Sequence, residues 1–170
     1  YNLTAVRDPA LLVRRHLLDS LSILPHVDQG PVLDVGTGAG LPGIPLAIAS
    51  PGLEFTLLDT NGKKTRFLFQ VKTALALDTM KVHQARAEAF QPTAPFDAVL
   101  SRAFASLGDM ISCCRHLLAP GGRFLAMKGQ YPEAELAALD DSVELLASHR
   151  LDIPALAEER HLLELALSQQ

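Results

Sequence analysis

Short apolar runs alternate with stretches of helical spacing along most of this chain. Runs of β type fall at residues 32–34, 54–58, 81–84, 97–101 and 123–127, and helical stretches at 41–49, 62–77 and 106–118 lie between them. Strand, helix, strand, repeated, predicts a mostly parallel sheet flanked by helices, because parallel neighbours need a crossover and a helix supplies one. After Gly129 the pattern changes. A short helix is expected over 132–139, followed by two β-type runs, 143–151 and 161–167, with no convincing helix between them. Such a pair most simply forms an antiparallel hairpin at the sheet edge. Ahead of the first strand, residues 8–24 read as a helix. Leu11, Leu12, Leu18 and Leu21 can pack while Arg14, Arg15 and His16 are presented outward. The expected organisation is a helical appendage over 1–30 and one α/β domain over 31–170.

Length and composition narrow the class. The 170 residues suffice for one core, and 48% hydrophobic with 20% charged residues is a globular balance. The two cysteines, Cys113 and Cys114, are neighbours, which excludes a disulfide framework and a cysteine-rich zinc site and favours a reducing, cytoplasmic setting. Mean hydropathy is +0.18, and residues 35–53 carry no charge. Five glycines and three prolines interrupt that run, so no membrane span is expected. No signal peptide is recognisable. The chain opens on Tyr1, so it reads as one that begins inside a longer product. Net charge is −4, unevenly placed: residues 1–128 sum to +3 and residues 129–170 to −7. A mildly basic body permits a face for phosphates without requiring one.

The chemistry concentrates in Asp34-Val35-Gly36-Thr37-Gly38-Ala39-Gly40, after the first strand and before a helix opened by Pro42. Glycines there allow a tight turn and close approach of a ligand to backbone, beside a helix N-terminus. A dinucleotide fingerprint needs glycine at position 41, where Leu41 stands. A Walker loop needs a lysine, and none occurs before Lys63. The remaining acidic-x-Gly-x-Gly-x-Gly pattern resembles motif I of class I S-adenosylmethionine-dependent methyltransferases, with another nucleotide cofactor or a structural turn as alternatives. Asp59, ending the second strand, is suited to accept ribose hydroxyls, or else to cap the next helix. Ala87 and Glu88 follow the third strand, where this fold brackets an adenine. A solvated helix-end carboxylate is the competing reading for Glu88.

Absences bear on the methyl acceptor. The Asn/Asp-Pro-Pro-aromatic run of amino-group methylation is missing, since Ser101-Arg102-Ala103-Phe104 follows strand four. Cys113 and Cys114 read as core thiols inside a helix, not as a nucleophile for pyrimidine carbon. Lys128 ends strand five, yet no strand-four acid stands by to poise it for ribose methylation. An acceptor that owns a lone pair, such as guanine N7, needs no base. Arg102 and Lys128, at strand ends facing the crevice, are the positioning candidates. The six histidines show no ligand spacing, so no metal site is expected.

Tyr-Asn-Leu-Thr-Ala-Val-Arg-Asp at 1–8, Arg-His-Leu-Leu-Asp-Ser at 15–20, Val-Gly-Thr-Gly-Ala-Gly-Leu-Pro-Gly-Ile-Pro at 35–45, Ser-Arg-Ala-Phe-Ala at 101–105 and Lys-Gly at 128–129 together resemble the bacterial 16S ribosomal RNA guanine-N7 methyltransferase family, also called glucose-inhibited division protein B. The likeness runs from Tyr1 to about Leu167. It implies a Rossmann-like class I methyltransferase, a mostly parallel sheet flanked by helices with a C-terminal antiparallel hairpin. It further implies transfer of methyl from S-adenosylmethionine to a guanine of 16S rRNA within the small ribosomal subunit, a modification whose loss is associated in this family with low-level streptomycin resistance. A monomer is expected. By position the family's cofactor contacts fall on Gly36, Leu41, Ala87, Glu88 and Arg102, joined by Asp34, Gly38, Gly40 and Asp59 of the loop and strand-two end. RNA contacts are expected at Arg7, Arg14, Arg15, His16 and Lys128. Family members carry a few dozen residues ahead of the segment at 1–4. An S-adenosylmethionine-binding ribosome-assembly factor with vestigial transfer activity is the alternative, and Leu41 argues against an NAD-dependent oxidoreductase.

Overall fold

The structure, a computed structural model, describes residues 8–102 and 104–168. Seven strands form one sheet: β1 (Val32–Val35), β2 (Phe55–Asp59), β3 (Met80–Gln84), β4 (Phe96–Ser101), β5 (Leu118–Lys128), β6 (Val143–Arg150) and β7 (His161–Leu167). Their order is β3-β2-β1-β4-β5-β7-β6. The first five are parallel, while β7 pairs antiparallel with both β5 and β6. The hairpin therefore enters the sheet by its second strand, leaving β6 at the edge.

Side chains alternate across the strands and build a core on each side. Val32, Phe55, Leu57, Leu100, Leu125 and Leu162 face one way, packed with Ile23 and Val27 from the N-terminal segment and with Ile44 and Leu46 of α3 (Gly43–Ala49) and Leu68 of α4 (Gly62–Ala74). Leu33, Val35, Leu58, Val99, Phe124 and Leu165 face the other way, against Met110, Ile111 and Cys114 of α5 (Leu107–Cys114), with Leu136 of α6 (Glu133–Ala137) beside them.

The N-terminal segment is helical but not one regular helix. Asp8 caps α1 (Pro9–Leu12) by accepting from the Ala10 N–H at 2.9 Å, a π-helical stretch covers Val13–Leu18, and α2 (Asp19–Leu21) follows. A 3-10 turn, Leu24–His26, then leads toward β1. α3 starts two residues later than the spacing predicts, because Thr37–Leu41 is held as a turn by bonds from the Gly40 and Leu41 N–H groups to Thr37 O. α4 stops at Ala74, before Ala76 takes φ +50. β5 begins at Leu118, not at 123, because Leu118 pairs with Phe96 ahead of a register shift.

Candidate active site

Strand order reverses at β1, whose neighbours are β2 and β4. Chains leaving β1 and β4 turn to opposite faces there, which opens a crevice at the carboxyl ends of the strands. A cavity of about 390 Å³ occupies it, lined by Val35 and Gly36 from β1 and its loop, Leu58, Asp59 and Thr60 at the end of β2, Lys64, the 85–88 segment, Phe104 and Cys113. That volume lies within the range of small-molecule sites.

The glycine loop is built to leave backbone exposed to that cavity. Gly36, Gly38 and Gly40 have φ of +68°, +62° and +84°. A Cβ placed on Gly36 meets nothing within 4 Å, so this position opens outward. Gly43 is different: its Cβ would lie 2.2 Å from Leu57 Cδ2 and 2.7 Å from Asp34 Oδ2, so α3 approaches the sheet only without a side chain. Two carboxylates tie the loop down. Asp34, fully buried, accepts from Thr37 Oγ1 at 2.7 Å and from the Gly43 N–H at 2.9 Å, both through Oδ2. Burial pushes its pKa up to about 7, against those two hydrogen bonds. Asp59 accepts from the Gly38 N–H at 2.9 Å and from the Asn61 N–H at 2.8 Å, with Lys64 Nζ at 3.6 Å. The cap of α4 is Asn61, which accepts from the Lys63 and Lys64 N–H groups, so Asp59 lines the cavity without capping that helix.

Across the cavity, Ala87 is buried and Glu88 exposed. A bond from its own backbone N–H, and then one from the Cys113 thiol at 3.4 Å, hold the Glu88 carboxyl below its ordinary range. Cys114 is a core thiol, pushed up to about 12 by burial. Cys113 instead reaches the cavity, a departure from the expectation that both cysteines pack inside.

A second cavity, of about 450 Å³, is lined by Arg15, His16, Asp19, Arg102, Met127, Lys128, Gly129 and Arg160. Its anchor is Asp19, only 2% exposed, which joins Arg102 Nη1 at 3.3 Å and Arg160 Nε at 3.2 Å. Arg102 Nη1 lies 3.5 Å from His16 Nδ1. Burial, and then the charge of Arg102, lower the His16 pKa. Lys128 Nζ contacts both oxygens of Glu135, at 2.8 and 3.1 Å, and Glu135 also accepts from the Leu107 N–H at the start of α5. Arg15 is paired with Glu158, and Arg14 is exposed.

This chain and its architecture match known proteins. The family model described as GidB, rRNA small subunit methyltransferase G, matches residues 1–163. The chain belongs to that family. Proteins named ribosomal RNA small subunit methyltransferase G agree along nearly the whole chain. The one from Saccharophagus degradans is 54% identical over 170 residues, covering 100% of this chain and 76% of its own. The one from Pseudomonas paraeruginosa is 56% identical over 164 residues, covering 96% and 77%. Among solved structures, the glycopeptide N-methyltransferase MtfA, complexed with S-adenosylmethionine, aligns at TM-score 0.70 with 15% identity, covering 89% of this chain and 87% of its own. At that identity the likeness concerns the fold, which is that of class I methyltransferases.

Of the residues singled out from the sequence, Gly36, Asp59, Ala87 and Glu88 line the first cavity, and Arg15, His16, Arg102 and Lys128 line the second. Asp34 sits beneath the loop and organises it, Gly38 is held by Asp59, Gly40 is buried, and Leu41 closes the turn through its N–H. Arg7 lies outside the described residues. Sequence reasoning missed Asp19 and Arg160 in the second cavity, and Lys64, Arg86, Phe104 and Cys113 in the first. The one signal for Asp19 was an acid on a helix of otherwise apolar packing positions.

Proposed function

We propose that this chain transfers the methyl group of S-adenosylmethionine to N7 of a guanine in 16S ribosomal RNA, presented within the small ribosomal subunit. The observation that carries the reading is the pairing of two cavities: an open glycine cradle with Asp59 and Glu88, and a basic recess organised by Asp19. The residues of the first suit the cofactor. Gly36 leaves its backbone open, each Asp59 oxygen keeps a lone pair free for a ribose hydroxyl beyond its present bond, and Ala87 and Glu88 border the place of the adenine. When bound, the cofactor supplies an electrophilic methyl.

In the second cavity, Arg102 and Arg160 offer guanidinium groups to phosphate or to the guanine edge, and Asp19 fixes where they point. Guanine N7 attacks with its own lone pair, so no side chain has to remove a proton. Catalysis then rests on orientation, in keeping with Lys128 engaged by Glu135.

The test is transfer of labelled methyl to small subunits from a strain lacking this gene, followed by mapping of the modified atom. One methyl per subunit at a guanine N7 is expected, with a single-turnover rate that Arg102→Ala lowers and His16→Ala leaves without a new pH dependence. Label on an amino or ribose group, or no transfer, overturns the reading.

A further inference from the structure

Far from the glycine loop, the apolar face of the sheet carries a carboxylate on its C-terminal hairpin. Glu164 lies on β7 opposite Leu125 of β5 and Ala147 of β6, on the face shared by Leu125 and Leu162. It is 7% exposed. Its Oε1 stands 3.0 Å from His26 Nδ1 and 2.9 Å from His149 Nε2, and the three ligand atoms lie within 4.8 Å of one another. The two imidazole centroids are 4.1 Å apart. Its other oxygen, Oε2, accepts from Arg123 Nη1 at 3.0 Å, and Arg123 in turn pairs with Asp28. None of these residues lines either cavity described above.

Two imidazole nitrogens converging on one carboxylate oxygen form a borderline-soft donor set, the kind that binds zinc. Tetrahedral zinc with bonds near 2.1 Å sets its ligand atoms about 3.4 Å apart, so the His–Glu separations here need to open by only about 0.5 Å. The Arg123 bond fixes the carboxylate so that Oε1 alone faces the histidines, the orienting role that groups behind a metal ligand perform. The side chains of His26 and His149 are 21% and 34% exposed, which gives an ion a path of entry.

We propose that His26, His149 and Glu164 form a binding site for zinc or a chemically similar divalent transition metal, with solvent completing the shell. The ligands come from the 3-10 turn before β1, from β6 and from β7, so the ion would pin the N-terminal segment to the C-terminal hairpin. Its role is structural.

The test is calorimetric titration of the chelator-stripped full chain with zinc chloride, alongside its unfolding temperature with and without the ion. One equivalent at micromolar affinity or tighter, with a higher unfolding temperature, is expected. His149→Ala, at a half-exposed position the fold tolerates, weakens binding at least about tenfold and abolishes the thermal shift. Glu164→Gln acts likewise where it folds. Absence of saturable binding, or unchanged affinity in His149→Ala, overturns the proposal, the latter by assigning the ion to other donors such as His161 or Cys113.

Discussion

Asp34 carries the cost of holding the glycine loop. Its Oδ1 has no hydrogen-bond partner among the described residues, and both bonds to its side chain converge on Oδ2. The folded protein therefore keeps a proton on this carboxyl up to about pH 7, whereas the unfolded chain releases it near 3.8. Between those values the folded state binds more protons, so rising pH favours unfolding at this group. Asparagine retains the acceptor for Thr37 and Gly43 without the charge. The stability of wild type minus that of Asp34→Asn is expected to fall as pH rises from about 4 to about 7, by an amount on the order of several kcal/mol, and then to level off. Urea midpoints across that range measure it, and a pH-independent difference refutes the argument. Asp59 belongs to the same scale, and its proposed role is toward the ligand. Asp59→Ala removes the proposed ribose acceptor and releases the Gly38 N–H, so affinity for S-adenosylhomocysteine is expected to drop by about 1.5–3 kcal/mol. Calorimetry that finds a loss under about 0.5 kcal/mol contradicts a role in binding.

Among the elements, α5 joins the two halves of the site. Ser106 caps it, accepting from the Asp109 N–H at 3.0 Å and donating to Asp109 Oδ2 at 2.8 Å, and Glu135 accepts from the Leu107 N–H. Ser106→Ala is expected to lower stability by about 1 kcal/mol, read from denaturant unfolding at constant slope. The sequence placed this helix over 106–118 without marking its cap, whereas β1, β2 and β4 were legible in it, their apolar runs nearly continuous because parallel strands bury both faces. The early start of β5 was not. Pro120, Gly121 and Gly122 interrupt the apolar run ahead of 123, and only the pairing of Leu118 with Phe96 draws the preceding residues into the sheet. The site divides in the same way. Gly36 and Asp59 belong to a local loop and its neighbouring strand, so spacing found them. Asp19 meets Arg102 across 83 residues and Arg160 across 141, and His26 meets Glu164 across 138. No periodicity in a sequence encodes such meetings, which only strand order creates.

At the scale of the whole molecule, RNA binding has to overcome a net charge of −4. Affinity for small subunits is expected to fall with added salt, as phosphate contacts release counterions. Arg14 is exposed while Arg15 is engaged with Glu158, so Arg14→Ala is expected to flatten the logarithmic salt slope by about one and Arg15→Ala by less. Filter binding at several salt concentrations compares them, and equal slopes in all three proteins leave the contact to other residues. The position of β7 bears on how the molecule is made. Translation delivers β6 before β7, yet β6 has no place in the sheet until β7 lies against β5. A nascent chain stalled after Arg150 leaves β5 as an open parallel edge and β6 as an unpaired strand, so a premature stop there forfeits two strands, not one. Leu162, Leu163 and Leu165, each completely buried, join the core only with that final insertion.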